Sequence, residues 1–316
     1  MQLPIWTIER ARTLWDLSFF DLLYRAQNVH RQHFNPLEIQ ISALLSIKTG
    51  GCPEDCAYCP QAGQHKIMDY QPLMDIQEVL AAAKKAKSSG ASRFCMGAAW
   101  RAPTDRQINH VCDMIKGIKA LSLEACVTLG LLKEGQAEKL KEAGLDYYNH
   151  NLDTSAEYYK KIITTRSFQD RLDTLQKVSD AGIGVCCGGI IGMGESTEDR
   201  LSFLCSLANL NPVPGSVTIN QLIKVPGTPL QDAPLVDPFD FVRVIAMSRI
   251  MIPESWVRLS AGRQQMSDEL QALCFLAGAN SLFYGDKLLT EDNAKPIDDD
   301  ALLHRLGLMK KQQAFD

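Results

Sequence analysis

Gly50-Gly51-Cys52-Pro53-Glu54-Asp55-Cys56-Ala57-Tyr58-Cys59-Pro60-Gln61 sets three cysteines at C-x3-C-x2-C spacing in one loop, directly after the apolar run from Ile39 to Ile47. Three thiolates fit neither a structural zinc site, which usually takes four nitrogen or sulfur ligands, nor a lone redox dithiol. They do suit a 4Fe-4S cluster whose fourth iron has no protein ligand and is open to a small molecule. Gly50 and Gly51 let the backbone approach such a group, and Pro53 and Pro60 stiffen the loop around it. The competing reading is three cysteines that only pack or scavenge metal.

Outward from this loop, the chain alternates short apolar runs with helix-period stretches. The runs fall near 40–47, 93–98, 124–129, 145–150, 183–191, 216–222, 256–260 and 279–283, bounded by Gly, Pro or polar residues as buried parallel strands are. Helical spacing falls near 76–88, 107–121, 135–143, 166–181, 197–208, 239–251 and 267–277, with a last helix after 301. Four helix ends repeat one pattern, Ser-Ser-Gly90-Ala, Glu-Ala-Gly144-Leu, Asp-Ala-Gly182-Ile and Leu-Ala-Gly278-Ala, with a strand directly after each glycine. This predicts an α/β fold, a (βα)8 TIM-type barrel, although a doubly wound sheet is compatible with the pattern alone. In a barrel the site forms at the C-terminal ends of the strands, where the cysteine loop falls.

Residues 5–34 read as one or two amphipathic helices forming an N-terminal cap beneath the barrel, with His30 and His33 as surface histidines. The expected organisation is a single domain over 1–316: cap at 1–36, barrel at 37–290 and a short C-terminal segment at 291–316. A chain of 316 residues that is 46% hydrophobic can bury a large core. The net charge of -4 offers no basic stripe for nucleic acid or an anionic membrane, and Asp298 to Asp300 reads as a solvated loop. No apolar run approaches the roughly 20 residues that span a bilayer, and Glu9, Arg10, Arg12 and Asp16 break any leader pattern, so a cytoplasmic protein is expected. Ten cysteines without scaffold-like spacing point to metal ligation for some of them.

The later strands carry chemistry of their own. Phe94-Cys95-Met96-Gly97, Ala125-Cys126-Val127-Thr128 and Val185-Cys186-Cys187-Gly188 each place a cysteine inside an apolar strand. Singly, each reads as a small hydrophobe, but three of them can face one axis. Arg258 in Trp256-Val257-Arg258-Leu259-Ser260 lies on the face opposite Val257 and Leu259, and needs either a carboxylate or a lone-pair-rich partner. Period-two geometry sets Asn149, Asn151 and Asp153 on one face and His150 on the other, as a polar pocket or as turn and cap chemistry. Ser196 with Asp199 reads as a helix N-cap box. Cys112, Cys205 and Cys274 fall inside helices and read as packing, and Cys187 turns to the outer face.

The cysteine loop, with Ser46-Ile47-Lys48-Thr49 before it, resembles the signature of the radical S-adenosylmethionine (SAM) enzymes, in particular the biotin synthase family. The resemblance extends from about residue 37 to 290, including Val257-Arg258-Leu259-Ser260-Ala261-Gly262-Arg263 and Phe283-Tyr284-Gly285-Asp286-Lys287. It implies that Cys52, Cys56 and Cys59 hold a 4Fe-4S cluster on whose open iron SAM sits, with Tyr58 by the adenine. It further implies that Cys95, Cys126, Cys186 and Arg258 hold a 2Fe-2S cluster. Met96, Gly97, Ala98, Arg171, Ile190 and Glu195 would line the SAM site. Asn149, Asn151, Asp153 and Asn220 would meet dethiobiotin, whose neutral cyclic urea suits an amide-rich pocket, or approach SAM.

The activity implied is sulfur insertion into dethiobiotin to form biotin, with SAM cleaved to methionine and 5′-deoxyadenosine and sulfur taken from the 2Fe-2S cluster. Saturated C–H carbons leave an acid, base or nucleophile nothing to attack, so a cofactor radical is needed. A homodimer and a flavodoxin-like electron donor are implied in the same way. The alternatives are another radical SAM barrel enzyme, such as a mutase or metallocofactor maturase, and a non-catalytic iron-sulfur electron carrier. The first has no need of the four inner residues; the second needs four cysteines per cluster and only a small domain.

Overall fold

Eight parallel strands pair around a closed ring in the computed structural model, which describes residues 5–311. They are β1 (Glu38–Lys48), β2 (Arg93–Ala98), β3 (Glu124–Thr128), β4 (Tyr147–Asn149), β5 (Gly184–Ile191), β6 (Ser216–Gln221), β7 (Trp256–Leu259) and β8 (Ser281–Phe283). Each neighbours the next, and β1 closes the ring by pairing with both β2 and β8. This is the TIM-type barrel, and closure removes the open edges that a doubly wound sheet would keep.

Helices cover the ring: α3 (Ile76–Ser88), α4 (Asp105–Ala120), α5 (Gln136–Glu142), α6 (Ala156–Ile162), α7 (Phe168–Asp180), α8 (Thr197–Ala208), α9 (Pro238–Met251) and α10 (Asp268–Leu276). Reciprocal capping boxes start α3, α4, α7 and α8, the last from Ser196 and Asp199 as its sequence predicts. Gly90, Gly144, Gly182 and Gly278 all lie at positive φ between a helix and the following strand. The strands alternate as period two requires. Phe94, Met96, Val127, Tyr148, Val185, Cys187, Val217, Ile219, Val257 and Leu259 join the core between strands and helices, leaving the intervening positions for the interior. Cys112, Cys205 and Cys274 are buried in α4, α8 and α10.

Several details differ from the sequence reading. The N-terminal helices α1 (Ile8–Trp15) and α2 (Phe19–His33) lie largely along the outside, against α8 and α9, rather than beneath the barrel. His30 is buried, because Leu22, Ala26 and His30 form one i, i+4 stripe on the inner face of α2. His33 is exposed. The Asp298–Asp300 run is helical, within α11 (Pro296–Arg305), and Asp299 lies on its buried face, bound to Arg263. Helix α6 and the short strand β9 (Met309–Lys310), which pairs with Glu38 and Ile39, carry no sequence signal strong enough to have been read.

Candidate functional site

The three-cysteine loop is shaped by its own backbone. The Cys52 amide donates to the Gln61 carbonyl at 2.9 Å, Gly63 to Cys52 at 2.8 Å and Cys59 to Cys56 at 3.0 Å. Asp55 ties the loop to the segment after α6, accepting the Thr164 amide at 2.9 Å and the Thr165 amide at 3.2 Å. Lys48, buried at the end of β1, donates to the Ala99 carbonyl at 2.8 Å and to that of Gly50. The Arg166 guanidinium donates to Cys56 Sγ at 3.4 Å. Burial raises all three thiols, Cys56 to about 11 and Cys59 to about 12. Such thiols keep their protons until a metal displaces them.

Deeper in the barrel, Cys95 and Cys126 are register partners on β2 and β3, and the Cys126 thiol lies close enough to Cys95 and Cys186 for the three to shift one another's titration. These shared contacts lower Cys95 and Cys186, assisted by Arg258 and Arg93, and raise Cys126. Arg258 is 1% exposed and its hydrogen bonds go to neutral oxygens. Nε donates to Ser281 Oγ at 3.0 Å, and a terminal nitrogen to Ser42 Oγ at 3.0 Å and Gln40 Oε1 at 3.3 Å. This answers the choice left open by the sequence: among the described residues no strand-end carboxylate neutralises the arginine.

Both cysteine sets line one cavity of about 320 Å³, within the size range of small-ligand pockets. Cys52, Cys56 and Cys59 stand with Tyr58 at its mouth, and Cys95, Cys126, Cys186 and Arg258 in its floor. All ten cysteines are free. Among the described residues no three His, Cys, Asp or Glu side chains close on a point that would hold a single metal ion. A cluster asks for something else: a four-iron cubane takes one cysteine per iron and a two-iron centre two ligands per iron, so three sulfurs need not meet at one point. Two sets of three unpaired thiols on one cavity fit that demand.

Between mouth and floor lie Asn149, Asn151, Asp153, Arg171, Ile190 and Asn220, with Ala98 near the mouth. The Oδ1 atoms of Asn149 and Asn151 are buried without a partner, so both can accept N–H groups from a ligand. Asn220 is already engaged, donating to the Gly189 carbonyl at 3.0 Å and accepting the Ala261 amide at 3.1 Å. His150 also lines the cavity, contrary to strict alternation, because β4 ends at Asn149 and the chain leaves the pleat. Burial, with Arg171 and Arg166 adding, pushes the His150 pKa well down.

Asp153 sits at φ +68° and bridges to β5, where Ile190 donates to its carbonyl at 2.8 Å. Only glycine fits opposite: a Cβ at Gly189 would lie 2.6 Å from that carbonyl oxygen. Asp153 pairs with Arg171 and accepts the Tyr58 hydroxyl at 2.9 Å. In isolation the sequence reads Arg171 as a surface residue, but it belongs to the buried Arg171, Thr174, Leu175, Val178 stripe of α7.

Three expected SAM contacts do not line the cavity. Met96 points outward into the strand–helix core. Glu195 is occupied by the Gly192 amide at 2.9 Å and Arg200 Nε at 2.8 Å. Gly97 instead makes room for Leu289, whose Cδ2 would be 2.3 Å from a Cβ there. Leu288, Leu289, Thr290 and Glu291 reach the cavity from the segment after β8. Sequence reasoning missed these four, and also Lys48 and Arg166, because their roles depend on which distant segment folds against the loop.

No helix among the described residues is long and apolar enough to cross a membrane. Residues 46–207 match the model of the Radical SAM superfamily, and 218–309 that of the Biotin and Thiamin Synthesis associated domain. The chain is similar to biotin synthase of Rickettsia felis, 60% identical over 305 residues that cover 96% of this chain and 99% of the relative. It is 62% identical to biotin synthase of Nitrosococcus oceani over 96% of this chain and 88% of the relative. In structure it is similar to methylornithine synthase, with a TM-score of 0.82, 20% identity and coverage of 98% of this chain and 95% of that one. An FeFe-hydrogenase maturase from Carboxydothermus hydrogenoformans has a TM-score of 0.83 at 17% identity, covering 96% of this chain and 76% of its own. At these identities the two structural likenesses speak to the fold alone.

Proposed function

The chain belongs to the biotin synthase family of radical SAM enzymes, and from that premise we propose how its barrel serves the conversion of dethiobiotin to biotin. The observation that carries the reading is the single cavity with three cysteines at its mouth, three cysteines and Arg258 in its floor, and a largely amide belt between. Cys52, Cys56 and Cys59 would hold the 4Fe-4S cluster that binds SAM. Cys95, Cys126, Cys186 and Arg258 would hold a 2Fe-2S cluster. When bound, these groups supply what side chains lack, an electron to cleave SAM and a sulfur for the new bonds.

The protein's own residues bind, orient and exclude water. Asn149 and Asn151 offer acceptors to the ureido N–H groups of dethiobiotin, and a substrate bound in the cavity would lie between the two cysteine sets. Tyr58, Asp153 and Arg171 brace the mouth through their mutual contacts, and Asp153 would there meet dethiobiotin or approach SAM. Asn220 acts by fixing strand ends. Leu288 and Leu289 keep water from the reacting carbons. The family resemblance further supports a homodimer, a flavodoxin-like electron donor and a cytoplasmic setting.

A different radical SAM activity, as in a mutase or maturase, would leave the floor set without a purpose; an electron carrier would have no use for the cavity. Anaerobic incubation with dethiobiotin, SAM and a strong reductant, followed by mass spectrometry, tests the reading. Biotin is expected; formation of 5′-deoxyadenosine without biotin would move the chain to another reaction.

A further inference from the structure

Arg93 precedes Cys95 by two residues on β2 and so shares its inward face. It is fully buried, yet only Nε has an acceptor, Glu124 Oε2 at 2.9 Å. Both terminal nitrogens are buried without a hydrogen-bond partner. The guanidinium lies on the ring of Tyr147, 3.7 Å from its centroid, and Tyr147 packs in turn against the apolar group of Cys95, Cys126, Phe283 and Leu288. Tyr147 and Cys126 are also register partners. Buried orphaned donors are costly, and such groups point to an acceptor that arrives with a ligand. Cys95 is the next inward residue along β2 and Cys126 is its register partner on β3, so the chemistry next to Arg93 on the inner face is sulfur.

We propose that Arg93 is a positioning residue for the inner cluster, donating from its two free terminal nitrogens to sulfur at the Cys95–Cys126–Cys186 centre and stabilising that centre's reduced, more negative form. Hydrogen bonds to sulfur and nearby positive charge raise the potential of an iron-sulfur centre. Glu124, whose side chain is 41% exposed at the entry to β3, offsets part of that charge. The inference rests on the proposed reading that these cysteines hold a cluster.

The test is a spectroscopic redox titration of the reconstituted holoenzyme, following inner-cluster absorption. Arg93→Gln should lower the midpoint potential and Glu124→Gln should raise it, while Arg93→Lys falls between Arg93→Gln and the unaltered protein. A merely structural role would not move the potential in opposite directions. Should Arg93→Gln fail to load iron, the half-exposed Glu124→Gln variant carries the test alone. Normal inner-cluster spectra with unmoved midpoints overturn the role of Arg93 and leave the cluster assignment standing. Unaltered protein that takes up no inner cluster overturns the proposed function and this inference together.

Discussion

Tyr58 on the three-cysteine loop donates a hydrogen bond of 2.9 Å to Asp153 Oδ2 beyond the end of β4, joining two segments that are 95 residues apart in sequence. Asp153 is also the buried partner of Arg171, so one carboxylate couples the loop, β4 and α7.

Removing that carboxylate and removing the phenol should therefore differ in kind. Asp153→Ala strands the Arg171 guanidinium in the interior and is expected to cost about 3–5 kcal/mol in urea unfolding. Tyr58→Phe forfeits one neutral donor, about 0.5–1.5 kcal/mol, and should leave the iron content unchanged. Equal losses for the two variants would show that Arg171 does not depend on Asp153.

Cys56→Ala should abolish SAM cleavage, because the outer cluster loses an anchor, while Cys112→Ala, Cys205→Ala and Cys274→Ala should retain it. The latter three thiols sit in helices. The assignment fails if the Cys56→Ala protein, reduced and anaerobic, still releases 5′-deoxyadenosine at the unaltered rate.

Asn151→Ala should weaken dethiobiotin binding by on the order of 1–3 kcal/mol, since it removes an unpartnered buried acceptor and leaves a ligand N–H unmet. Asn220→Ala should act differently, loosening the strand ends through its two backbone contacts. Calorimetric titration with both cluster spectra intact checks this; undiminished affinity in Asn151→Ala would move the urea elsewhere.

His30 has neither ring nitrogen paired, and burial, with Arg249 and Arg31 adding, lowers its pKa to about 4. The unfolded chain takes up a proton near pH 6.5 that the folded one refuses until about pH 4. The stability that His30 confers is thus whole above pH 6.5, declines as the pH falls towards 4, and is gone below it. The size is on the order of 3 kcal/mol. Thermal unfolding of His30→Leu should show a flatter pH profile across that window, and an unchanged profile would refute the assignment.

If the inner centre supplies the sulfur, rebuilding it with isotopically heavy sulfide while the protein cysteines stay light should yield heavy biotin, at about one per chain without repair. Arg258 is held by neutral oxygens and is a weaker anchor than a fourth thiolate, which favours a centre that can be consumed. Light product would shift the source to a cysteine persulfide or free sulfide.

The repeat of strand, helix and glycine stop was legible in the sequence because period two, period 3.6 and C-cap chemistry are local properties of a few neighbouring residues. The three-cysteine loop was legible for the same reason, its ligands lying seven positions apart at most. The inner set could be suspected, since Cys95, Cys126 and Cys186 each sit in a strand, but their convergence depends on ring closure and register. Partnerships were invisible. Nothing near Arg171 names Asp153, nothing near Asp299 names Arg263, and the i, i+4 stripe that buries His30 has meaning only once α9 lies against it. Nor does the local pattern reveal that Asn220 is engaged while Asn151 is free. Those facts belong to the tertiary structure, because a side chain's partner and its distance from water are set by segments brought together from far along the chain.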